Sequence, residues 1–155
     1  MSYQLKIFNS KEKEEIEKKL KESFGIEKIP GELIKLGEER IFLFQGNLDE
    51  NQIKQIKEIA FIERMGIYFA KEEREEIRLS IEGTQILKKQ INKGIFEMNE
   101  EQKDDWIKGR ELNISTGKKQ FLVMKYKEDF LGCGKASAEK ITNFIPKTRR
   151  LREKI

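Results

Sequence analysis

The chain has 155 residues, with 32 Lys or Arg side chains, 28 Asp or Glu side chains and a net charge of +4. Such a length is enough for one domain or for two small ones. The sequence contains no histidine and one cysteine, Cys133, which excludes an intramolecular disulfide and removes the usual general base and the commonest zinc ligand.

The N-terminal segment begins with a short strand and a capped helix. Leu5–Phe8 is strand-like, and Asn9 is followed three residues later by Glu12, which is the pattern of a helix capping box. The apolar residues that follow recur every four positions and are Ile16, Leu20 and Phe24. This spacing predicts an amphipathic helix that ends near Gly25.

Two strands and a second helix follow in the sequence. Residues 33–36 and 41–44 are apolar and flank a polar turn, which predicts a β-hairpin. Asp49 with Gln52 resembles another capping box. The apolar face of that helix would consist of Ile53, Ile56, Ile59 and Ala60. The order β-α-β-β-α predicts a small α+β domain over residues 1–72.

From Gly66 onward the sequence changes to short strands separated by turns. The strand-like segments are 67–70, 77–81, 95–98, 120–126 and 131–135. Short helices are expected at 83–87 and after Asn99, which has Gln102 three residues later. Many short strands with glycine breaks predict a small β-barrel, so we expect an α+β protein with a second domain over residues 73–155.

Positive charge is concentrated at the C-terminal end. Residues 1–72 carry 13 basic and 14 acidic side chains, whereas the remainder carries 19 basic and 14 acidic ones. The segment 135–155 alone has seven basic residues and two acids. This distribution is typical of a phosphate-binding surface. The alternative is a solvated, fraying terminus.

A motif in this basic segment resembles a known RNA-binding pattern. The matching residues are Leu131, Gly132, Gly134, Lys135, Asn143, Pro146, Lys147 and Arg150. They resemble the PUA-like domain at the C-terminus of 5-methylcytosine RNA methyltransferases of the NOL/NOP/Sun family, over roughly residues 66–150. The segment 1–72 is similar in plan to the small α+β domain that precedes the PUA domain in ribosome-biogenesis proteins. This second likeness is an analogy of architecture only.

The resemblance implies RNA binding without catalysis. The methyltransferases carry a doubly wound domain for S-adenosylmethionine, and this chain is too short to contain it. We therefore expect a stand-alone, non-enzymatic protein with no catalytic residue, cofactor or metal. The predicted RNA-contacting residues are Lys118, Lys119, Lys135, Asn143, Lys147, Arg149 and Arg150.

Several of the highlighted residues also have structural interpretations. Asn143 can read a base edge or fix a turn, and Phe144 can stack on a base or pack in the core, and we favour the structural role for both. We expect Trp106 to pack rather than stack, and Cys133 to be a small buried residue, because no histidine is present to activate it. The two glycines of the motif either admit an RNA backbone or lack room for side chains, and we favour the second explanation.

The expected partners are tRNA or rRNA and a separately encoded RNA methyltransferase, in support of RNA modification or ribosome biogenesis. An alternative is a protein–protein adaptor that docks through the N-terminal domain. A third possibility is a small hydrolase or transferase. It would need a pocket of converging carboxylates, and no sequence pattern indicates one. No apolar run approaches the ~20 residues of a membrane span, and no signal peptide is visible. We therefore expect a cytoplasmic protein without membrane association.

Overall fold

The computed structural model of the chain describes residues 5–45, 51 and 58–152. Within these ranges the helices are α1 (Ser10–Phe24), α2 (Ile59–Met65), α3 (Ile81–Ile86) and α4 (Glu100–Ile107), and a 3-10 turn spans Lys147–Arg149. The mixed content of helices and strands confirms the predicted α+β class.

The first sheet is antiparallel and has the order β1-β2-β3-β4-β5. Its strands are β1 (Leu5–Ile7), β2 (Glu32–Leu36), β3 (Arg40–Phe44), β4 (Ile67–Glu73) and β5 (Glu76–Leu79). The last two strands extend into the charged run that follows residue 70, and Arg74 makes their turn with φ of 56°.

The second sheet has the order β6-β7-β8-β9. Its strands are β6 (Ile95–Glu97), β7 (Phe121–Tyr126), β8 (Asp129–Ala136) and β9 (Ile141–Asn143). β6 pairs in parallel with β7, whereas the other pairs are antiparallel. The hydrogen-bonded strands among the described residues thus form two open sheets, and barrel closure stays a prediction.

Local capping fixes the start of the two predicted helices. The Asn9 side chain accepts a hydrogen bond from the Glu12 amide at 2.8 Å, and the Glu12 side chain accepts one from the Asn9 amide at 3.1 Å. Asn99 and Gln102 form the same capping box at the start of α4. Both boxes satisfy amide groups that have no partner within their own helix. The predicted Asp49 and Gln52 cap lies outside the described residues.

Three apolar clusters hold the sheets and helices together. The largest joins the buried face of α1 to one face of each sheet, and its members include Leu20, Phe24, Leu33, Phe69, Val123 and Cys133. The opposite face of the first sheet packs against α2, with Phe42 and Phe44 both buried there. Trp106 of α4 covers the opposite face of the second sheet. Both faces of both sheets are therefore buried in part.

The division of the chain at residue 72 stays a prediction. Residue 72 lies inside β4, and β4 pairs with β5, so the first sheet continues to Leu79. The largest apolar cluster takes side chains from both sides of this position. Within the described ranges, no helix is long and apolar enough to cross a membrane.

Candidate nucleic-acid interface

The C-terminal tail, defined here as residues 146–152, is docked against the end of α4. The Leu151 amide donates to the Ile107 carbonyl at 2.8 Å, and the Arg150 Nε donates to the Ile145 carbonyl at 2.8 Å. The 3-10 turn between these contacts begins after Pro146. Such contacts hold the tail backbone in place, so its charged side chains project from a defined surface.

Gly109 makes room for this docking. Its φ is +87°, and a Cβ atom built there would lie 2.3 Å from both the Cδ and the Nε atoms of Arg150. A positive φ of this size also favours glycine at the end of a helix. Arg150 is half-buried and bonded to a backbone carbonyl, so its guanidinium group positions the tail.

Two of the predicted cations are already paired with carboxylates. Arg149 pairs with Glu82, and Lys135 pairs with Glu76 while its Nζ lies 4.5 Å from the centre of the Phe121 ring. The charged groups of both pairs are at least one-third exposed. Exposed ion pairs contribute little to stability because water screens them. They can therefore exchange the carboxylate for a phosphate.

Three other predicted cations are exposed. They are Lys118, Lys119 and Lys147. None of them has an ion-pair partner among residues 5–45, 51 and 58–152. The Lys118 amide donates to the Thr116 hydroxyl at 3.1 Å, next to Gly117 with φ of +76°. The expected turn at this position is thus present, and both of its lysines face solvent.

The Asn143 amide group is used within the protein. Its Nδ2 donates to the carbonyl oxygens of Trp106 at 2.8 Å and of Arg110 at 2.9 Å. Its Oδ1 accepts from the Ile145 amide at 2.8 Å. This geometry favours the structural role of Asn143, while contact of Asn143 with RNA stays a prediction.

The Phe144 ring is also engaged by neighbouring side chains. The guanidinium carbon of Arg78 lies 4.0 Å from the ring centre, and the Phe121 ring lies edge-on with its centre 6.1 Å away. A cation over an aromatic face is a favourable contact. Because Arg78 occupies one face of the ring, packing accounts for Phe144. The contact between Arg78 and Phe144 was not predicted from the sequence, since 66 positions separate the two residues.

Gly134 of the motif packs against Trp106. A Cβ atom on Gly134 would lie 2.5 Å from the Ile141 Cγ2 and 2.7 Å from the Trp106 Cη2. The Trp106 side chain is fully buried, and its Nε1 donates to the Leu131 carbonyl at 3.0 Å. Gly134 is therefore required because a side chain has no room, and Trp106 packs as predicted.

Cys133 is buried, as the sequence analysis expected. Burial raises the pKa of its thiol to about 12, so the thiol stays protonated at neutral pH and is a poor nucleophile. In the described part of the chain, no three potential ligands among cysteine, aspartate and glutamate side chains are grouped for a metal ion.

The predicted cations fall at two ends of the second sheet. Phe121, two residues after Lys119, pairs with Lys135 near the C-terminal end of β8. In β9, Ile141 pairs with Ala136 and Asn143 pairs with Gly134. The chain therefore leaves β9 in the direction away from the C-terminal end of β8, and the tail follows. The loop lysines therefore precede the strand end at which Lys135 lies, whereas the tail leads away from that end, a difference that sequence spacing alone could not show.

The C-terminal part of the chain is similar to a known protein family. Residues 93–151 match the model of the family described as "Methyltransferase RsmF PUA domain". The match covers less than half of the chain, and this segment is similar to the PUA-like domain of Sun-family methyltransferases. The match begins later than residue 66, where the resemblance was expected to start. No curated protein matches the chain. A PUA domain is an RNA-binding module, so the match indicates RNA binding in a methyltransferase-related context.

Proposed function

We propose that this protein binds structured RNA, of the tRNA or rRNA class, through the docked tail of its PUA-like domain. The observation that supports this most directly is the tail itself, because a PUA-matched segment ends in a fixed basic turn. Lys147 and Arg149 are exposed on this turn. Ammonium groups act as mobile point charges, and guanidinium groups present forked donors to phosphate oxygens.

The proposed mechanism has two steps. Exposed lysines first attract the phosphate backbone, which gives binding a strong dependence on salt. Arg149 then exchanges Glu82 for a phosphate, and the surface around the second sheet recognises the shape of the folded RNA. Arg150 and Asn143 position the tail in this scheme, whereas Lys118 and Lys119 provide further positive charge beside β7.

The protein acts without catalysis of its own in this proposal. Its only thiol is buried with a raised pKa, and the sequence has no histidine. A separately encoded RNA methyltransferase would carry out the chemistry on the RNA that this protein presents, in the cytoplasm, during RNA modification or ribosome biogenesis.

Fluorescence anisotropy with total tRNA, an rRNA fragment and duplex DNA, each over a salt series, tests the proposal. The tail variant is Lys147→Ala/Arg149→Ala, which spares the packing residue Arg150. The matched control, Lys11→Ala/Lys18→Ala, removes two exposed cations from α1. Each lost phosphate contact lowers the magnitude of the slope of log affinity against log salt by about 0.7 to 0.9. The slope of the tail variant should therefore fall by about 1.5, and the slope of the control should not change.

Two results would contradict the proposal and favour the protein adaptor. One is equal binding of RNA and DNA, and the other is an equal salt slope for the tail variant and the control. The structure gives the adaptor no particular support, because the exposed large apolar residues in the described ranges lie on separate elements. They are Ile7, Met65 and Leu151.

A further inference from the structure

A second group of lysines lies in the connection between α3 and β6. Residues 88–94 contain three lysines and no acid. The three are Lys88, Lys89 and Lys93, and all are exposed. None has an ion-pair partner among the residues that the structure describes. The function proposed above does not use this cluster.

Hydrogen bonds fix the backbone of this connection to the end of α1. The Gln90 side chain accepts from the Glu27 and Lys28 amides at 3.0 and 2.9 Å, and donates to the Lys28 carbonyl at 2.8 Å. The Asn92 amide donates to the Phe24 carbonyl at 3.0 Å. The three lysines are thus presented by an ordered segment, which reduces the entropy lost when they bind a ligand.

The parallel pairing of β6 with β7 brings these lysines close to the loop lysines. Ile95 pairs with Val123, and the Val123 amide donates to the Gly94 carbonyl at 2.7 Å. Lys93 lies two residues before Ile95, and Lys119 lies four residues before Val123. Because the two strands are parallel, the segments that lead into them enter the sheet at the same end. The second basic surface is defined here as Lys88, Lys89, Lys93, Lys118 and Lys119.

Carboxylates close in sequence or pairing to this surface already have basic partners. The Glu27 carboxylate lies 3.3 Å from the Lys21 Nζ, and Glu76 pairs with Lys135. The connection and the loop, residues 88–94 and 115–120, contain no acidic residue. The second basic surface therefore presents five lysines that have no ion-pair partner among the described residues, whereas Arg149 of the docked tail is paired with Glu82.

We propose that the second basic surface, at the end of the second sheet where β6 and β7 begin, contacts phosphates of the same RNA molecule as the tail. This inference rests on the proposed function and extends its footprint.

The test compares Lys88→Ala/Lys89→Ala/Lys93→Ala with a control, Lys11→Ala/Lys13→Ala/Lys18→Ala, in the full chain. Both variants lose three lysines, and the control removes them from α1. With total tRNA as the probe, the surface variant should bind about tenfold more weakly, and its salt slope should fall by about 2. The control should match wild type. Combining the surface and tail variants should add the two slope changes.

Lysine footprinting of the wild type gives an independent measurement that needs no substitution. Acetylation followed by mass spectrometry should show Lys88, Lys89 and Lys93 protected in the tRNA complex, while Lys11 and Lys18 react equally with and without tRNA. If the tail variant loses affinity while the surface variant matches its control and these lysines stay reactive, this inference is wrong and the proposed function stands. If wild type shows no RNA preference, both are wrong.

Discussion

Replacement of Asn143 by alanine separates a structural residue from one that reads RNA. The substitution removes two hydrogen bonds donated by Nδ2 and one accepted by Oδ1, each 2.8 to 2.9 Å long. A hydrogen bond of this kind contributes about 0.5–1.5 kcal/mol net. Three of them together predict a loss of about 2–4 kcal/mol in the free energy of unfolding. For a domain of this size, a loss of about 3 kcal/mol lowers Tm by roughly 6–12 °C.

The assay combines urea denaturation with anisotropy on the same preparations. The matched control is Asn113→Ala, because Asn113 is exposed and its side chain makes no hydrogen bond among the described residues. It should stay within about 0.5 kcal/mol of wild type. Asn143→Asp keeps an acceptor for the Ile145 amide but turns a carboxylate oxygen toward two carbonyls, so it should also be destabilised.

The tRNA affinity of the Asn143→Ala variant decides whether Asn143 is a structural residue or reads RNA. At a temperature where Asn143→Ala remains folded, it should bind tRNA within about twofold of wild type, since its amide groups face the protein. A variant as stable as Asn113→Ala that binds tRNA tenfold more weakly would refute the structural role and make Asn143 a base-reading residue.

Three further substitutions test the packing and the buried thiol. Gly134→Ala should lower stability by about 1–3 kcal/mol in urea denaturation, because its Cβ would meet Ile141 and Trp106; wild-type stability would refute this. Asn99→Ala should cost about 1 kcal/mol through the lost helix cap, and no loss would contradict the capping box. Cys133 should resist alkylation at pH 8 until urea unfolds the chain. Because burial raises its pKa to about 12, its contribution to stability is complete at neutral pH and decreases as alkaline pH ionises the unfolded thiol. Cys133→Ala should reduce this loss of stability at alkaline pH. If the dependence of stability on pH is unchanged in the variant, the loss does not come from the Cys133 thiol.

Local patterns predicted α1 and α4 well. The capping boxes depend on residues three positions apart, and the apolar face of α1 depends on repeats of four, so the sequence contains the whole signal. The buried side chains Ile16, Leu20 and Phe24 are those that the spacing identified. The strand β9 was not predicted, because its three residues have no period that distinguishes them from a turn.

Contacts between distant segments determined the rest of the site. The parallel pairing of β6 with β7 brings the segments that carry Lys93 and Lys119 to the same end of the sheet, although 26 positions separate the two residues. No periodicity in the sequence predicts such a parallel pairing. The alternation of side chains shows which face of a strand is buried, but it does not show which other strand lies beside it. The cluster at residues 88–93 was visible as a run of lysines without acids, but its link to the 118–119 loop required the fold.

The C-terminal basic segment also carries less available charge than its composition indicates. Four of the six basic residues in residues 135–152 already have partners, as shown by the pairs Lys135–Glu76, Lys140–Glu111, Arg149–Glu82 and Arg150 with the Ile145 carbonyl. RNA binding at the tail therefore requires an exchange of partners, which costs part of the attraction to phosphate. Glu82→Gln removes that competition and should tighten tRNA binding, provided that Arg149 is intact. If Glu82→Gln tightens binding equally in an Arg149→Ala background, the gain is a general charge effect and the exchange at Arg149 does not occur. The second basic surface needs no such exchange, so its variant should lose the larger share of the salt slope.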